Sequence, residues 1–253
     1  KGNVRRNAMC DFTSVLANGK IAMKFEGEDA VDRLVSVLPC SERHDVLLNA
    51  RGGKSVRFPV SDVRVFQSRT SVGVRGMKLA GDDEVISMAI IRHVEATAGE
   101  RRAYLRYAAA QRRLVVGDEP EAEAPVAEDD EEAAAGEVTL AAERIAELGA
   151  AEEFILTVTE NGFGKRTSAL EYRITNRGGS GIINIDTRRR DDKVVAAFPV
   201  EDGDQIVLVT NAGKLIRSPV DDIRIAGRGT AGVTLFRTAD DERVVSAIRL
   251  GDS

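Results

Sequence analysis

The run Gln205-Ile206-Val207-Leu208-Val209-Thr210, then Asn211-Ala212-Gly213, then Lys214-Leu215-Ile216-Arg217 reads as strand, tight turn, strand. Aliphatic and β-branched residues flank a short Asn/Gly break, which is hairpin chemistry. The phrase recurs as Phe154-Ile155-Leu156-Thr157-Val158 with Asn161-Gly162, and as Asp45-Val46-Leu47-Leu48 with Arg51-Gly52-Gly53. Its closing arginine sets a register. Gly2, Gly53, Gly162 and Gly213 each stand four residues before an arginine: Arg6, Arg57, Arg166 and Arg217. The first pair and the last pair of these arginines are each 51 residues apart, and the middle pair is 109 apart. The chain is therefore four copies of a 51-residue unit, with about 58 extra residues in the second copy. Each copy carries a second apolar run: Val31 to Leu38, Val85 to Ile91, Val194 to Phe198 and Val244 to Leu250. About four short strands per copy predict an all-β, propeller-like array of four-stranded blades. One blade cannot bury both of its faces, so neighbours must stack.

The extra residues stand apart by charge. The chain has 253 residues and a formal net charge of −5. Glu95 to Glu153 hold 16 acidic and 6 basic residues, which leaves 30 basic against 25 acidic in the repeats. The predicted organisation is repeats at 1–94, an acidic insertion at 95–153 that is partly helical and partly disordered, and repeats at 154–253. The centre of the insertion, roughly 117–138, is too acidic and too poor in apolar residues to offset its ordering entropy. Its flanks, Glu100 to Leu114 and Thr139 to Leu148, have helical spacing, with Thr139 as N-cap of the second. The acidic centre is either a solvated tether or an electrostatic brake lying over a basic surface.

Composition excludes several classes. Cys10 and Cys40 form no disulfide framework and no CxxC pair, and both are expected to be buried thiols. With His44 and His93 as the only histidines, a His-based metal cluster is not expected, and the His44-Asp45 pair alone does not make a catalytic site. Absence of Trp and 4% aromatics disfavour stacking of single-stranded bases. No run reaches the length of a membrane helix, no signal peptide is evident, and the first residue is not Met, so a piece of a longer cytoplasmic protein is expected.

The register also carries cations. Seven residues after the first arginine stands Arg64, Arg173 or Arg224, with Thr13 in the first copy. Eleven residues after it stands Arg177 or Arg228, with Arg69 one place further on in the second copy. A glycine follows each: Gly73, Gly181, Gly232. Arginines repeated across blades would form a basic stripe, the footprint of a protein that neutralises duplex phosphates without reading sequence. The first arginine of each copy has a competing reading. An acid always stands five residues later (Asp11, Asp62, Glu171, Asp222), so the two could pair within each blade. Asp82-Asp83-Glu84, Asp191-Asp192 and Asp240-Asp241-Glu242 recur before valine-led strands and read as polar turns rather than metal ligands. Arg51-Gly52-Gly53-Lys54 and Arg177-Gly178-Gly179-Ser180-Gly181 are either plain turns or loops that let backbone approach a phosphate. Neither is a Walker A motif.

Particular phrases resemble the C-terminal domain of the DNA gyrase A subunit. They are Ile21-Ala22-Met23-Lys24, Arg57-Phe58-Pro59-Val60-Ser61-Asp62-Val63-Arg64, Ser71-Val72-Gly73-Val74-Arg75-Gly76, Ile86-Ser87-Met88, Glu160-Asn161-Gly162-Phe163-Gly164-Lys165-Arg166-Thr167, Phe198-Pro199-Val200 through Arg217, and Ile223-Arg224-Ile225-Ala226-Gly227-Arg228. The resemblance implies a β-pinwheel, a disc of about six four-stranded blades, of which the chain would hold the last four repeats. It implies duplex DNA wrapped on a basic rim, in support of ATP-dependent negative supercoiling. On this chain the rim residues would be Arg57, Arg64, Arg69, Lys165, Arg166, Arg173, Arg177, Lys214, Arg217, Arg224 and Arg228. The implied partners are duplex DNA, the catalytic domain of the same chain, and the gyrase B subunit in an assembly of two A and two B subunits. No membrane and no cofactor are expected for this chain; ATP and Mg²⁺ belong to the whole enzyme. Tyr104, Tyr107 and Tyr172 match no nucleophile motif. The family's wrapping motif Gln-Arg-Arg-Gly-Gly-Lys-Gly is missing, and Asn176-Arg177-Gly178-Gly179-Ser180-Gly181 looks like a degenerate version. Weak binding without sustained wrapping is therefore expected of this chain alone. The alternatives are the corresponding domain of topoisomerase IV, or a propeller scaffold that binds proteins.

Overall fold

The computed structural model describes residues 1–25, 32–116 and 138–251. The first copy contributes β1 (Asn3–Val4) and a 3-10 turn at Met9–Phe12. The second gives β2 (His44–Ala50), β3 (Lys54–Pro59), β4 (Val74–Arg75) and β5 (Val85–Arg92). The insertion gives α1 (Ala98–Val116) and α2 (Ala142–Ala151). The third copy repeats the strand pattern as β6 (Phe154–Thr159), β7 (Phe163–Ser168), β8 (Ile182–Ile183) and β9 (Val194–Val200). The fourth gives β10 (Gln205–Thr210), β11 (Leu215–Pro219), β12 (Val233–Thr234) and β13 (Val244–Leu250).

The first, second and fourth strands of a copy form one antiparallel sheet. The third strand crosses to the blade before it. The sheets run β5-β2-β3-β8 and β9-β6-β7-β12, while β4 lies on β1. The crossing keeps one register: Asn3 faces Arg75, Lys54 faces Ile183, and Phe163 faces Thr234. Such strand exchange between successive four-stranded blades makes the fold a β-pinwheel, as the sequence predicts. The last blade, β11-β10-β13, has three strands, and among the described residues no donated strand covers β11. Strands β5, β9 and β13 pack on one another. The donated strands therefore lie at the opposite, outer edge of each sheet.

Glycine makes the exchange possible. Gly162, in the β6–β7 turn, has φ of +78°, and a Cβ there would stand 2.1 Å from the Phe236 carbonyl oxygen of the donated segment. Gly213 occupies the same place in the uncovered blade, also at φ +78°, with nothing within 4 Å. Gly213→Ala should cost only the left-handed backbone penalty, about 1–2 kcal/mol. Gly162→Ala must in addition push the donated strand away, and we expect at least about 2 kcal/mol more. Chemical-denaturation midpoints of the two variants check this. Equal losses would show that the donated strand adds nothing at this turn.

The core lies between blades. Leu47, Ala89 and Ile91 of the second copy pack against Ile155, Ala169, Tyr172, Ile182 and Ala197 of the third copy. Leu156 and Val158 of the third meet Ile206, Leu208, Val220 and Ile223 of the fourth. Each such aliphatic side chain, once buried, contributes about 1.5–3 kcal/mol. This is how blades too small to bury their own faces become stable.

The helical flanks of the insertion dock on the third copy. Tyr104, Ala108, Leu148 and Leu170 form one cluster. Glu152 accepts from the Tyr104 hydroxyl at 2.8 Å and from Arg112 at 2.9 and 3.0 Å. Burial, reinforced by Glu152, pushes the Tyr104 phenol well up. The start of α1 is fixed by a capping box that was not among the expectations from sequence. Thr97 Oγ1 accepts from the Glu100 N–H at 3.2 Å, and Glu100 Oε2 accepts from the Thr97 N–H at 2.8 Å. The expected cap at Thr139 is not used: α2 begins after Ala141, which makes no side-chain cap bond. Of the segment expected to be disordered, residues 117–137 lie outside the described residues.

Two further expectations change in the first copy. Residues 32–38 form no strand, and Leu34, Val35, Val37 and Leu38 are exposed. Cys10 and Cys40 are likewise exposed rather than buried.

Candidate nucleic-acid interface

The register arginines of the middle copies point inward. Arg57, on β3, has a side chain only 2% exposed and pairs with Asp45 at 2.7 Å. Its Nη1 donates to Ala169 O at 2.7 Å and Tyr172 O at 3.3 Å, and its Nη2 to Arg92 O at 3.0 Å. Arg166, on β7, repeats this one blade on. Its Nε donates to Ile223 O at 2.7 Å and its Nη2 to Asp221 O at 3.3 Å, while Nη1 reaches Asp202 at 2.8 Å. Each arginine thus binds the carbonyls of the following copy's turn. The expected pairing with the acid five residues later does not form. Asp62 is exposed, and Glu171 is half-buried and takes the Arg228 N–H instead; Arg57 pairs with Asp45 of β2, and Arg166 with Asp202 of the β9–β10 loop. Burial pulls the Arg57 guanidinium down from its ordinary value, and Asp45 pulls it back up. It remains a cation.

Lys165 is fully buried on β7. Its ammonium donates to Gly227 O at 2.5 Å, Arg228 O at 2.7 Å, and Thr230 O and Oγ1 at 3.2 Å each. Arg228 is buried too, and donates from Nη1 to Ile183 O at 2.6 Å. Its backbone N–H donates to Glu171 Oε2 at 2.7 Å. Burial raises the Glu171 carboxyl, opposed by that hydrogen bond and by the Lys165 charge. Arg57, Lys165, Arg166 and Arg228 are therefore staples between blades, with their donor groups turned to protein acceptors.

The other register cations face outward. Arg64 is exposed and rests over the Phe66 ring at 4.4 Å. Arg177 is exposed, with Nε on Asp62 O at 3.1 Å and Nη1 on Arg75 O at 3.2 Å. Lys214 is exposed beside Glu242 at 2.8 Å. Arg217, the register arginine of the fourth copy, is exposed and bonded to Gln205, and among the described residues no following turn receives it. Arg69, Arg173 and Arg224 are half-buried. Arg177 precedes the donated strand β8, and Arg217 lies on β11, the edge strand of its sheet.

The Arg51-Gly52-Gly53 turn offers no free backbone to a phosphate. The Gly52 N–H donates to Asp83 Oδ1 at 2.9 Å and the Gly53 N–H to Ala50 O at 3.0 Å. Asp83, Asp192 and Glu242 act as the expected polar turn residues. Asp192 Oδ1, for example, receives the Asn161 and Lys193 N–H groups at 3.1 and 2.8 Å. One basic cluster was not among the expected site residues. Arg188, Arg189 and Arg190 form a 3-10 turn after β8. The clue in the sequence is three arginines in a row, a signal of composition rather than of register.

A sequential array of blades that exchange strands defines a β-pinwheel. The family model described as DNA gyrase C-terminal domain, beta-propeller matches residues 1–41, 45–92, 153–201 and 204–250, and the chain belongs to that family. It is 53% identical over 249 residues to the DNA gyrase A subunit of Granulibacter bethesdensis, covering 97% of this chain and 26% of the relative. It is 49% identical over 254 residues to the DNA gyrase A subunit of Rickettsia bellii, covering 100% and 26%. The chain thus spans about a quarter of these relatives. Among solved structures, the C-terminal domain of DNA topoisomerase IV matches at TM-score 0.68 and 16% identity, covering 99% of this chain and 59% of that one. The DNA gyrase A C-terminal domain matches at 0.63 and 20% identity, covering 98% and 62%. At these identities the two structures speak for the fold alone. Among the described residues no helix is long and apolar enough to cross a membrane.

Proposed function

We propose that this chain binds duplex DNA through its outer edge and bends it, as part of a gyrase A subunit. The observation that carries the reading is the outward-facing set Arg64, Arg177, Lys214 and Arg217, supplied by three successive copies and flanked by half-buried Arg69, Arg173 and Arg224. Guanidinium and ammonium groups at recurring positions neutralise phosphates and leave base edges unread. The curvature of a disc favours a bent duplex, whose bending costs about 1–6 kcal/mol and must be offset by many such contacts. In the whole enzyme this would present DNA for strand passage and negative supercoiling. The catalytic domain of the same chain and two B subunits would supply cleavage, ATP and Mg²⁺ chemistry in the cytoplasm. Mobility shifts on duplexes of unrelated sequence test the reading. Affinities should agree within about threefold, well under the roughly 1–3 kcal/mol that a single misread base pair costs a sequence-specific protein. A tenfold preference for one sequence, or no binding at low salt, would overturn it.

A further inference from the structure

The Arg188–Arg190 turn sits where three copies meet, and the loop from Asp186 to Arg190 is tied to the second and fourth by hydrogen bonds. Thr187 Oγ1 donates to Gly52 O at 3.3 Å, in the β2–β3 turn. The Asp186 N–H donates to Thr230 O at 3.1 Å, in the loop of the fourth copy. Arg190 lies over the Phe163 ring at 3.8 Å and donates to Ala231 O at 2.7 Å. The turn ends on Asp191 at φ 47°, the one left-handed non-glycine residue among those described. That conformation costs about 1–3 kcal/mol unless the surroundings impose it, and three anchors do.

This frame holds two free guanidinium forks. Asp186, nearly buried, accepts from Arg188 Nε at 3.3 Å on one oxygen and pairs with Arg189, whose Nε lies 3.2 Å from the other. The terminal nitrogens of both arginines make no hydrogen bond among the described residues, and the side chains are 80% and 70% exposed. Lys193, three residues after Arg190, is exposed, as is Lys54, which begins β3 just after the Gly52 that Thr187 bonds. Of the acids in the loop itself, Asp186 and Asp192 are turned inward and Asp191 is exposed; on the adjoining turns Asp83 holds the Gly52 N–H, Glu84 and Glu160 pair with Arg51, and Asp82 is exposed. A carboxylate that fixes Nε and leaves the fork outward orients arginine for bidentate phosphate binding.

Resting on the duplex-binding reading above, we propose that Arg188 and Arg189 form a preorganised phosphate clamp for duplex DNA, outside the repeat register and at the junction of the second, third and fourth copies. The arginines Arg177 and Arg188 stand before and after the same donated strand, so a duplex following the outer edge past β8 meets both. The corresponding loops of the other copies, 79–81 and 239–241, contain no arginine. The clamp is therefore a single strong point on the track.

The test is duplex binding across a salt series by the full chain, its Arg188→Gln/Arg189→Gln double variant, and Arg113→Gln as a control on exposed α1. Two lost phosphate contacts lower the slope of log K against log salt by about 1.8. The double variant should also bind about 10- to 100-fold more weakly near 0.1 M salt, compared at a temperature where circular dichroism shows both proteins folded. Arg113→Gln should leave slope and affinity as they were. If the double variant keeps the parent's slope while the parent binds duplex, the clamp is wrong and the duplex reading stands. If the parent shows no salt-dependent binding, both fall. The Arg188→Lys/Arg189→Lys variant keeps the charge but lacks the Nε held by Asp186. It should keep the slope yet bind several-fold more weakly, and full affinity would overturn the oriented fork in favour of point charges.

Discussion

Raising salt from about 50 to 200 mM is expected to weaken duplex binding about 10³- to 10⁵-fold. The expectation follows from a count of cations. Arg64, Arg177, Lys214 and Arg217 face outward, Arg69, Arg173 and Arg224 are half-buried, and Arg188 and Arg189 are exposed off the register. If most of these meet phosphates, about 6–10 counterion-releasing contacts form, and each adds roughly 0.9 to the slope of log K against log salt. The buried staples add nothing to that slope, because their donors are already bonded within the protein. Fluorescence anisotropy with a labelled duplex at several salt concentrations measures the slope. A slope near zero would remove the electrostatic basis of the proposed function. A slope near that of all the register cations taken together would mean that the buried ones turn outward on binding.

Replacing Arg57 by alanine is expected to cost about 3–5 kcal/mol of stability, the usual loss when one partner of a buried ion pair is removed. Asp45, fully buried, would lose its guanidinium partner and keep only His93, at 2.7 Å. The carbonyls of Ala169 and Tyr172 would lose a donor as well. Because these carbonyls belong to the third copy, the damage falls on the joint between blades. For a domain of this size the melting midpoint should drop by about 2–4 °C per kcal/mol. Replacing Arg217, its exposed counterpart, should change stability by less than about 0.5 kcal/mol, since it bonds only Gln205 at the surface. Thermal melts of both variants decide the matter, and equal losses would show that the register arginine does not staple blades.

The 51-residue register is legible because the hairpin phrase recurs with its glycine and arginine in place. The aliphatic run of β10 marks a strand in the sequence, but which of Ile206, Val207, Leu208 and Val209 is buried shows only in the fold. Strand exchange is not legible. The donated strands are two residues each, too short for an alternation to show, and nothing in Val74-Arg75 or Ile182-Ile183 says which blade it joins. The inward turn of Arg57 is hidden for a related reason. The acid five residues later recurs in every copy, whereas Asp45, the true partner, sits twelve residues earlier and faces it only after β2 and β3 have paired. Lys165 reads as a surface cation in the sequence, since the three carbonyls that bury it come from a loop some 60 residues away. Arg188 and Arg189 do not stand out there because a register reveals only what repeats.

Strand exchange also gives the fold a direction in time. A blade is finished only when the copy after it has been made, so during synthesis each hairpin waits with a bare edge. For β3 the wait is longer than for β7, because the insertion separates it from β8. At roughly 5–20 residues per second, about 58 extra residues add about 3–12 s. For that interval the emerging chain carries an open, apolar hairpin edge, the sort of surface that seeks strands of neighbouring polypeptides. Through that window the capped helix α1 leaves the ribosome before the strand that will close the blade.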